Sequence, residues 1–321
     1  MPGREHFAPG LTAENCKMSE AAKLAVIGTV AIDQVETPFG KRERVFGGSA
    51  SYFSYAAGLF TPVALVAVVG EDFPEEYRGI LAERPVDMTH LKTLPGKTFC
   101  WKGQYGNDLN TAKTLETQLN VLLKFKPELT FKTQPKYVFL ANIDPALQLD
   151  VLNQLDRRKL KYVACDTMNF WIENKRAELL KVLARIDCVV LNDGEARQLT
   201  QEPNLIRAAQ KVRAMGPGHV IIKKGEHGVL LFYNHEFFAL PAYPLENVFD
   251  PTGAGDTFAG GLMGSLAASG DLSFASMKRS VALGQIVASH TVEDFGLEAL
   301  RRISQDNIRE RLEIFKRFCS F

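Results

Sequence analysis

From residue 23 onward, two hydrophobic patterns alternate along the chain. Short runs rich in β-branched and aromatic residues are separated by segments whose apolar residues recur every three or four positions, the spacing of one helix face. Predicted helices occupy 150–158, 175–185 and 205–215. Predicted strands occupy 24–28, 63–69, 137–141, 162–165, 188–191 and 220–223, with an antiparallel edge strand at 229–233. This alternation predicts an α/β fold with a mostly parallel central sheet.

Two polar segments, residues 33–46 and 98–119, break the alternation. They contain turn residues and patches of strand-like alternation, without a helix-forming face. Together they predict a small sheet over one edge of the main domain, serving as a lid or as a surface for self-association. Two long surface loops fit the same residues. Residues 1–22 lack periodicity and are expected to be a flexible leader, followed by a single domain over 23–321 because no repeat or linker interrupts it.

Composition excludes several classes of partner. The 321 residues include 38 Lys and Arg against 37 Asp and Glu, a formal charge of +1, so nothing marks the chain for nucleic acid or anionic lipid. No apolar run reaches the ~18–20 residues of a bilayer-spanning helix, and no secretory signal is recognisable, which predicts a cytoplasmic protein. Neither a disulfide framework nor a zinc site is expected, since the five cysteines are scattered: Cys16, Cys100, Cys165, Cys188 and Cys319.

Polar side chains gather where four of the predicted strands end. They are Asn142, Asp144, Asp166, Asn169, Asn192, Glu195, Lys224 and Glu226. In open α/β sheets this edge binds ligands, because helix N-termini point towards it. Turn and capping residues are the better explanation for any one of these loops, but four in series favour a functional rim.

The strongest local motif is FDPTGAGDTF, residues 249–258. Its glycines, Gly253 and Gly255, permit a tight turn whose N–H groups point one way, followed by a helix start that attracts an anion. Asp256 then lies beside that anion and is suited to take a proton from a hydroxyl group during phosphoryl transfer. A plain helix cap is the alternative for Asp256. Neither a P-loop nor a GxGxxG fingerprint is present at the expected place.

At residues 250–261, DPTGAGDTFAGG resembles the C-terminal signature of the ribokinase-like, or PfkB-type, carbohydrate kinases. Gly47-Gly48-Ser49-Ala50, opening a predicted helix at 50–59, resembles their N-terminal signature. The similarity continues in order over roughly 23–300. It implies a three-layer α/β/α fold with a small β lid, and an ATP-dependent kinase that phosphorylates a hydroxymethyl group.

The resemblance also implies a role for each matching residue. Asp256 would be the catalytic base, and the anion hole would consist of Gly253, Ala254 and Gly255. Asn192 and Glu195 would organise Mg²⁺, largely through water, together with the phosphates; their alternative is a helix cap. The nucleotide would lie beside Lys224, Gly225 and Gly228, which also fit a hairpin turn. A monovalent cation such as K⁺ binds at the positions of Asp250 and Thr252 in some relatives.

The acceptor would bind to Asp33, Gly47, Gly48 and Ser49, with Asn142 and Asn169 also at the site. Asp33 as a mere turn residue is the alternative. Lid residues such as Trp101 and Tyr105 are candidates to close over the substrate, or else to pack within the lid. Several relatives also dimerise through this lid.

Two positions depart from the family pattern. Tyr52 stands where many sugar kinases have Asn. Lys223 stands where many members have Thr, and in this it resembles a variant found in some nucleoside kinases of the family. A ribose-like or other neutral sugar is the first expectation for the acceptor, and a nucleoside is the alternative. A non-catalytic nucleotide- or sugar-binding regulator is disfavoured, because a binder needs the anion turn but not Asp256.

Overall fold

The computed structural model describes residues 22–320, which form two β-sheets and eleven α-helices within that range. The strands are β1 (Leu24–Ile27), β2 (Ala31–Thr37), β3 (Gly40–Gly47), β4 (Val63–Gly70), β5 (Val86–Leu94), β6 (Cys100–Tyr105), β7 (Ala112–Gln118), β8 (Tyr137–Leu140), β9 (Tyr162–Asp166), β10 (Cys188–Asn192), β11 (His219–Lys223), β12 (Val229–Tyr233) and β13 (Glu236–Leu240). The helices are α1 (Ser49–Ala57), α2 (Glu75–Ala82), α3 (Pro145–Gln154), α4 (Asn169–Asn174), α5 (Arg176–Leu183), α6 (Asp193–Thr200), α7 (Leu205–Ala214), α8 (Ala254–Ser269), α9 (Phe274–Thr291), α10 (Glu298–Arg301) and α11 (Gln305–Phe318).

The large sheet has nine strands in the order β13-β12-β11-β10-β9-β8-β1-β4-β5, and all of them except β12 run in the same direction. Its central strands are buried because helices cover both faces. One apolar layer joins the sheet to α1, α8, α9 and α11, and a second joins it to α3, α5 and α7. The predicted three-layer α/β/α fold is confirmed.

The ends of the sheet differ from the prediction. β12 is antiparallel, as expected, but it is not the edge strand, because a two-residue turn with Asn234 at φ 51° returns the chain as β13. The opposite edge is β5, which the predicted strands omit; its alternating, half-exposed residues lack the continuous apolar run of the central strands. Helix α3 also begins at Pro145 rather than at 150, because Asp144 caps it, and it ends at Gln154.

The two polar segments form the predicted small sheet rather than loops. Its strand order is β3-β2-β6-β7, with β2 antiparallel to β3 and parallel to β6. On one side, Val35 and Val45 pack against Phe295 from the segment after α9. The small sheet is thereby attached to the main domain near the signature motif.

The predicted leader and the cysteines can be compared with the structure briefly. Residues 1–21 of the leader, Cys16 among them, lie outside the described residues. Cys165 and Cys188 are fully buried free thiols. Among residues 22–320, none of the helices has the length and apolar character needed to cross a bilayer.

Candidate active site

The signature motif forms a tight turn at the start of α8. Gly253 has φ 76° and precedes the helix, so that Thr257 donates to the Gly253 carbonyl at 2.8 Å. The Ala254 N–H bonds to the Pro251 carbonyl at 3.2 Å, whereas the Gly255 N–H has no acceptor among the described residues. An N–H group left free at a helix start is available to an anion.

Tyr52 packs directly against this turn. A Cβ atom on Gly253 would lie 2.5 Å from three carbons of the Tyr52 ring, and the positive φ independently favours glycine. The Tyr52 side chain is buried, and its hydroxyl has no hydrogen-bond partner among residues 22–320. The residue that departs from the sugar-kinase pattern therefore supports the anion turn.

Asp256 is half-buried in the first turn of α8. Burial, followed by the charge of Asp166, raises its pKa from 3.8 to about 7, although Lys223 acts in the opposite direction. A helix N-terminus alone would lower this pKa. A carboxylate with a pKa near neutrality is well matched to general-base chemistry at physiological pH.

A cluster of charged groups surrounds Asp256. Lys223 Nζ, at the end of β11, lies 3.1 Å from Asp166 Oδ2, at the end of β9. Burial, followed by the charge of Asp166, raises the pKa of Glu195 to about 8. The sequence pattern assigns no specific role to Asp166 or Lys223. Their strand-end positions were the available signal, but their pairing depends on the register of neighbouring strands.

Asn192 and Glu195 form a capping box at the start of α6. The Asn192 N–H donates to Glu195 Oε2 at 2.7 Å, and the Glu195 N–H donates to Asn192 Oδ1 at 2.8 Å. The capping interpretation thus describes their contacts, but Glu195 is buried near the charges of Asp166 and Lys223 rather than at the surface. Within residues 22–320, no group of three or more His, Cys, Asp or Glu side chains is arranged to hold a metal ion.

The structure brings Asp33, Gly47 and Gly48 together where β2 and β3 of the small sheet meet the start of α1. We call the region between the small sheet and the strand ends beside Asp166, Glu195 and Lys223 the cleft. Asp33 lies on β2, and its carboxylate accepts the Trp101 N–H at 3.1 Å and the Gly48 N–H. A Cβ atom on Gly47 would overlap Asp33 Oδ2, so the carboxylate rests against that glycine. Burial raises the pKa of Asp33 to about 7. Asp33 is a strand residue, not a turn residue.

The remaining predicted acceptor residues make contacts within the protein. Ser49 Oγ lies 3.0 Å from Thr29 Oγ1 and 3.2 Å from the Asn142 carbonyl. Asn142 Oδ1 accepts the Trp171 indole N–H at 2.8 Å. Asn169 is exposed at the start of α4. Ser49 and Asn142 therefore hold this part of the rim in place through hydrogen bonds to other protein groups.

The small sheet reaches across the cleft. Tyr105 is the last residue of β6, and its hydroxyl accepts a hydrogen bond from the Thr252 hydroxyl at 3.3 Å. In the loop before β7, Asn110 Nδ2 donates to Glu226 Oε1 at 3.0 Å, and Asn110 Oδ1 accepts the Glu226 N–H at 3.3 Å. These contacts, which have no signature in the sequence, connect the sheet that carries Asp33 with the signature motif and with the predicted nucleotide loop.

The predicted nucleotide loop links β11 to β12 as a hairpin turn. Lys224 and Gly225 lie at its start, and Gly228 closes it through the Lys224 N–H, which donates to the Gly228 carbonyl at 2.8 Å. Gly228 also packs against β13, where a Cβ atom would lie 2.0 Å from the Leu240 carbonyl oxygen. The loop thus has a structural reason for its final glycine besides any ligand.

Asp250 ties the signature to the segment after α9. Its buried carboxylate accepts the Thr252 N–H at 2.9 Å and the Gly296 N–H at 3.2 Å. Burial raises the pKa of Asp250. The predicted cation residues Asp250 and Thr252 are therefore adjacent, and Asp250 also fixes the turn before α8.

Fold and cleft together define a kinase of the ribokinase type. The chain belongs to the pfkB family carbohydrate kinases, whose family model matches residues 21–301. It is a phosphotransferase with a hydroxyl group as acceptor, and kinases of this family use ATP and Mg²⁺.

Individual relatives carry narrower names. The cytidine kinase of Thermococcus kodakarensis is 34% identical over 246 residues, covering 75% of this chain and 87% of the relative. The nucleoside kinase of Methanothermobacter thermautotrophicus is 24% identical over 326 residues, covering 94% and 97%. Among solved structures, the Burkholderia thailandensis nucleoside kinase in complex with inosine has a TM-score of 0.74 at 18% identity, covering 91% of this chain and 98% of that one. That last similarity supports the fold.

Proposed function

We propose that this kinase transfers the γ-phosphoryl group of ATP to a hydroxymethyl group of a nucleoside. The observation that carries the proposal is the position of two carboxylates: Asp33 rests against Gly47, and Asp256 lies in the first turn of α8 beside the anion turn. Burial is the main cause that raises the pKa of each to about 7, and the charge of Asp256 adds a smaller contribution at Asp33. One carboxylate is placed to hold an acceptor, and the other is placed to take its proton.

In the proposed reaction, Asp33 accepts hydrogen bonds from two adjacent hydroxyl groups of the acceptor, while the backbone at Gly47 and Gly48 lies close to it. The primary hydroxyl oxygen forms a bond to the γ-phosphorus, and its proton passes to Asp256. The bond from phosphorus to the leaving oxygen of ADP breaks. The turn from Gly253 to Gly255 stabilises the negative charge on the transferred group.

The charged cluster fits a magnesium ion held mainly through water. Mg²⁺ usually keeps several waters and binds one or two carboxylates together with phosphates, and the buried Glu195 provides one such carboxylate. Asn192 and Glu195 would hold the hydrated ion. When bound, Mg²⁺ neutralises phosphate charge. Lys224, Gly225 and Gly228 would lie beside the nucleotide, and K⁺ would bind near Asp250 and Thr252.

A nucleoside replaces the neutral sugar as the first candidate for the acceptor. The relative at 34% identity is named cytidine kinase, and this supports the choice. The acceptor rim also offers aromatic surface: Phe170 is 52% exposed, and its ring packs edge-on against Trp171, which bonds to Asn142. A planar base can stack on such a surface.

The test is ADP release measured with a panel of nucleosides and neutral sugars at saturating ATP. We expect at least one nucleoside to give a higher kcat/KM than ribose and the other sugars. A sugar turned over faster than every nucleoside would favour the second candidate, a sugar kinase. No ADP release with either set would contradict both.

We further propose that the small sheet is a lid and that two copies of the chain associate through it in the cytoplasm. Every residue of β7, at the free edge of this sheet, is exposed, including Leu115. An exposed edge strand is a template for pairing with another strand. Sedimentation of the wild type and of Leu115→Lys should give a dimer and a monomer; a monomeric wild type would contradict the association.

A further inference from the structure

Lys223 lies between the strand-end carboxylates and the anion turn. It is the last residue of β11 and pairs with Asn192, the last residue of the neighbouring parallel strand β10. Its Nζ atom is 3.1 Å from Asp166 Oδ2. On the other side, a Cβ atom on Gly255 would lie 2.8 Å from the same Nζ atom. The ammonium group therefore faces the backbone of the turn.

This position allows one ligand oxygen to bind both groups. In any residue the Cβ position lies about 2.5 Å from the backbone nitrogen. Lys223 Nζ and the Gly255 nitrogen are thus separated by no more than about 5.3 Å. Two hydrogen bonds of about 2.9 Å span that separation. An oxygen held by the Gly255 N–H is therefore within reach of the ammonium group.

The charges around Lys223 keep it cationic and leave it capacity to bind. The carboxylates of Asp166, Glu195 and Asp256 raise its pKa by more than burial lowers it. An ammonium group has three N–H donors, and only Asp166 accepts one of them among the described residues. The two remaining donors are available to a ligand in the cleft.

We propose that Lys223 is a catalytic residue whose ammonium group binds the γ-phosphoryl group of ATP during its transfer. The inference depends on the proposed function, since it takes the turn at Gly255 as the phosphate site. Lys223 stays protonated throughout: the acceptor proton goes to Asp256, and the electron pair of the broken phosphorus–oxygen bond leaves with ADP. A Thr at this position, as in many relatives, would provide a hydroxyl but no charge.

The first test is the turnover of Lys223→Met. We expect kcat to fall by about 10²- to 10³-fold, the usual loss when one donor to a developing charge is removed. The KM for the acceptor should change little. Lys92→Met is the matched control, because Lys92 forms a 2.6 Å pair with Glu128 at the surface, and its kcat should equal that of the wild type. A Lys223→Met kcat similar to that of the wild type would overturn the proposal.

The second test measures ligand affinity, in a variant that lacks both partners of the buried ion pair. Removing Lys223 alone leaves Asp166 without its cation and risks unfolding, so the double variant Asp166→Asn/Lys223→Met is compared with Asp166→Asn. Calorimetry measures the Kd of ADP and of a non-hydrolysable ATP analogue, both with Mg²⁺. In the double variant we expect the affinity for the analogue to fall about tenfold or more, as for a lost charged hydrogen bond. The affinity for ADP should stay unchanged.

The outcomes separate the two proposals. An equal loss of both ligands in the double variant, or no loss of either, would overturn the role of Lys223 while the proposed function stands. If the wild type binds neither ADP nor the analogue, the proposed function itself fails. Lys223→Arg, which keeps the charge, should recover part of the preference for the analogue over ADP.

Discussion

The two sides of the cleft are built differently. On the side that we propose binds phosphate, called the phosphate side, the Gly255 N–H and two donors of Lys223 have no acceptor among the described residues, and Asp256 and Glu195 carry raised pKa values. On the side that we propose binds the acceptor, called the acceptor side, Ser49 and Asn142 are already bonded within the protein. Asp33 is the exception there, with a raised pKa of its own.

This difference indicates how the site divides its tasks. Unsatisfied donors and destabilised carboxylates are expected where charge develops during a reaction, because they can stabilise it without reorganisation. Bonded polar groups instead hold a surface in a fixed shape. We infer that the phosphate side provides the chemistry and that the acceptor side, apart from Asp33, mainly provides shape.

Among the variants that change the shape of the cleft, Gly253→Ala should have the largest effect. An added Cβ would meet the Tyr52 ring and force φ away from 76°, displacing the anion turn. We expect kcat to fall by about 10²- to 10³-fold and the free energy of unfolding to fall by about 1 kcal/mol or more. Gly79→Ala is the control, since a Cβ at Gly79 meets nothing within 4 Å. Thermal unfolding and ADP release measure both; an active, stable Gly253→Ala would refute the role of the turn.

Asp33→Asn should act on the acceptor side alone. Loss of a charged hydrogen-bond acceptor is expected to raise the KM for the acceptor about 10- to 100-fold, while the affinity for ATP stays unchanged. Glu36→Gln is the matched control, because Glu36 lies on the same strand and its carboxylate accepts a hydrogen bond from Gln104 at 2.9 Å. If Asp33→Asn weakened ATP rather than the acceptor, the division between the two sides would be wrong.

The pH dependence of kcat should be set by Asp256 on the phosphate side. With its pKa raised from 3.8 to about 7, Asp256 is half ionised near neutrality, so kcat should rise with pH through about 7 and level off above it. In the folded protein the group also holds its proton more tightly than in the unfolded chain. Asp256→Asn should therefore stabilise the protein at pH 8, and this gain should shrink as the pH falls from 7 towards 4. A kcat independent of pH between 5 and 8 would contradict Asp256 as base.

Asn110→Ala should have the smallest effect. It removes the bonds between the small sheet and Glu226 but leaves both sides of the cleft in place. Side-chain hydrogen bonds at an exposed contact contribute about 1 kcal/mol, so we expect a change of about fivefold or less in kcat/KM. Thr111→Ala, which removes a bond within the loop to Asp108, is the control. A loss as large as that of Asp33→Asn would make the contact part of the acceptor site.

The parts of the fold that sequence predicts are those that burial dictates. The central strands form continuous apolar runs because helices cover both faces, whereas β5 and β13 lie at the edges and carry mixed residues. In the site, Gly253 and Asp256 are recognisable because the turn requires particular residues at fixed spacing. The contacts of Lys223 with Asp166, and of Asn110 with Glu226, join distant segments, and nothing in the local sequence specifies them.

The most direct measurement is the turnover of Asp256→Asn under saturating ATP and nucleoside, together with its affinity for ATP. General-base catalysis contributes about 10²- to 10⁴-fold, so kcat should fall by that factor while ATP still binds as in the wild type. Turnover equal to that of the wild type would contradict the assignment of this carboxylate as the proton acceptor, and with it the proposed chemistry of the phosphate side.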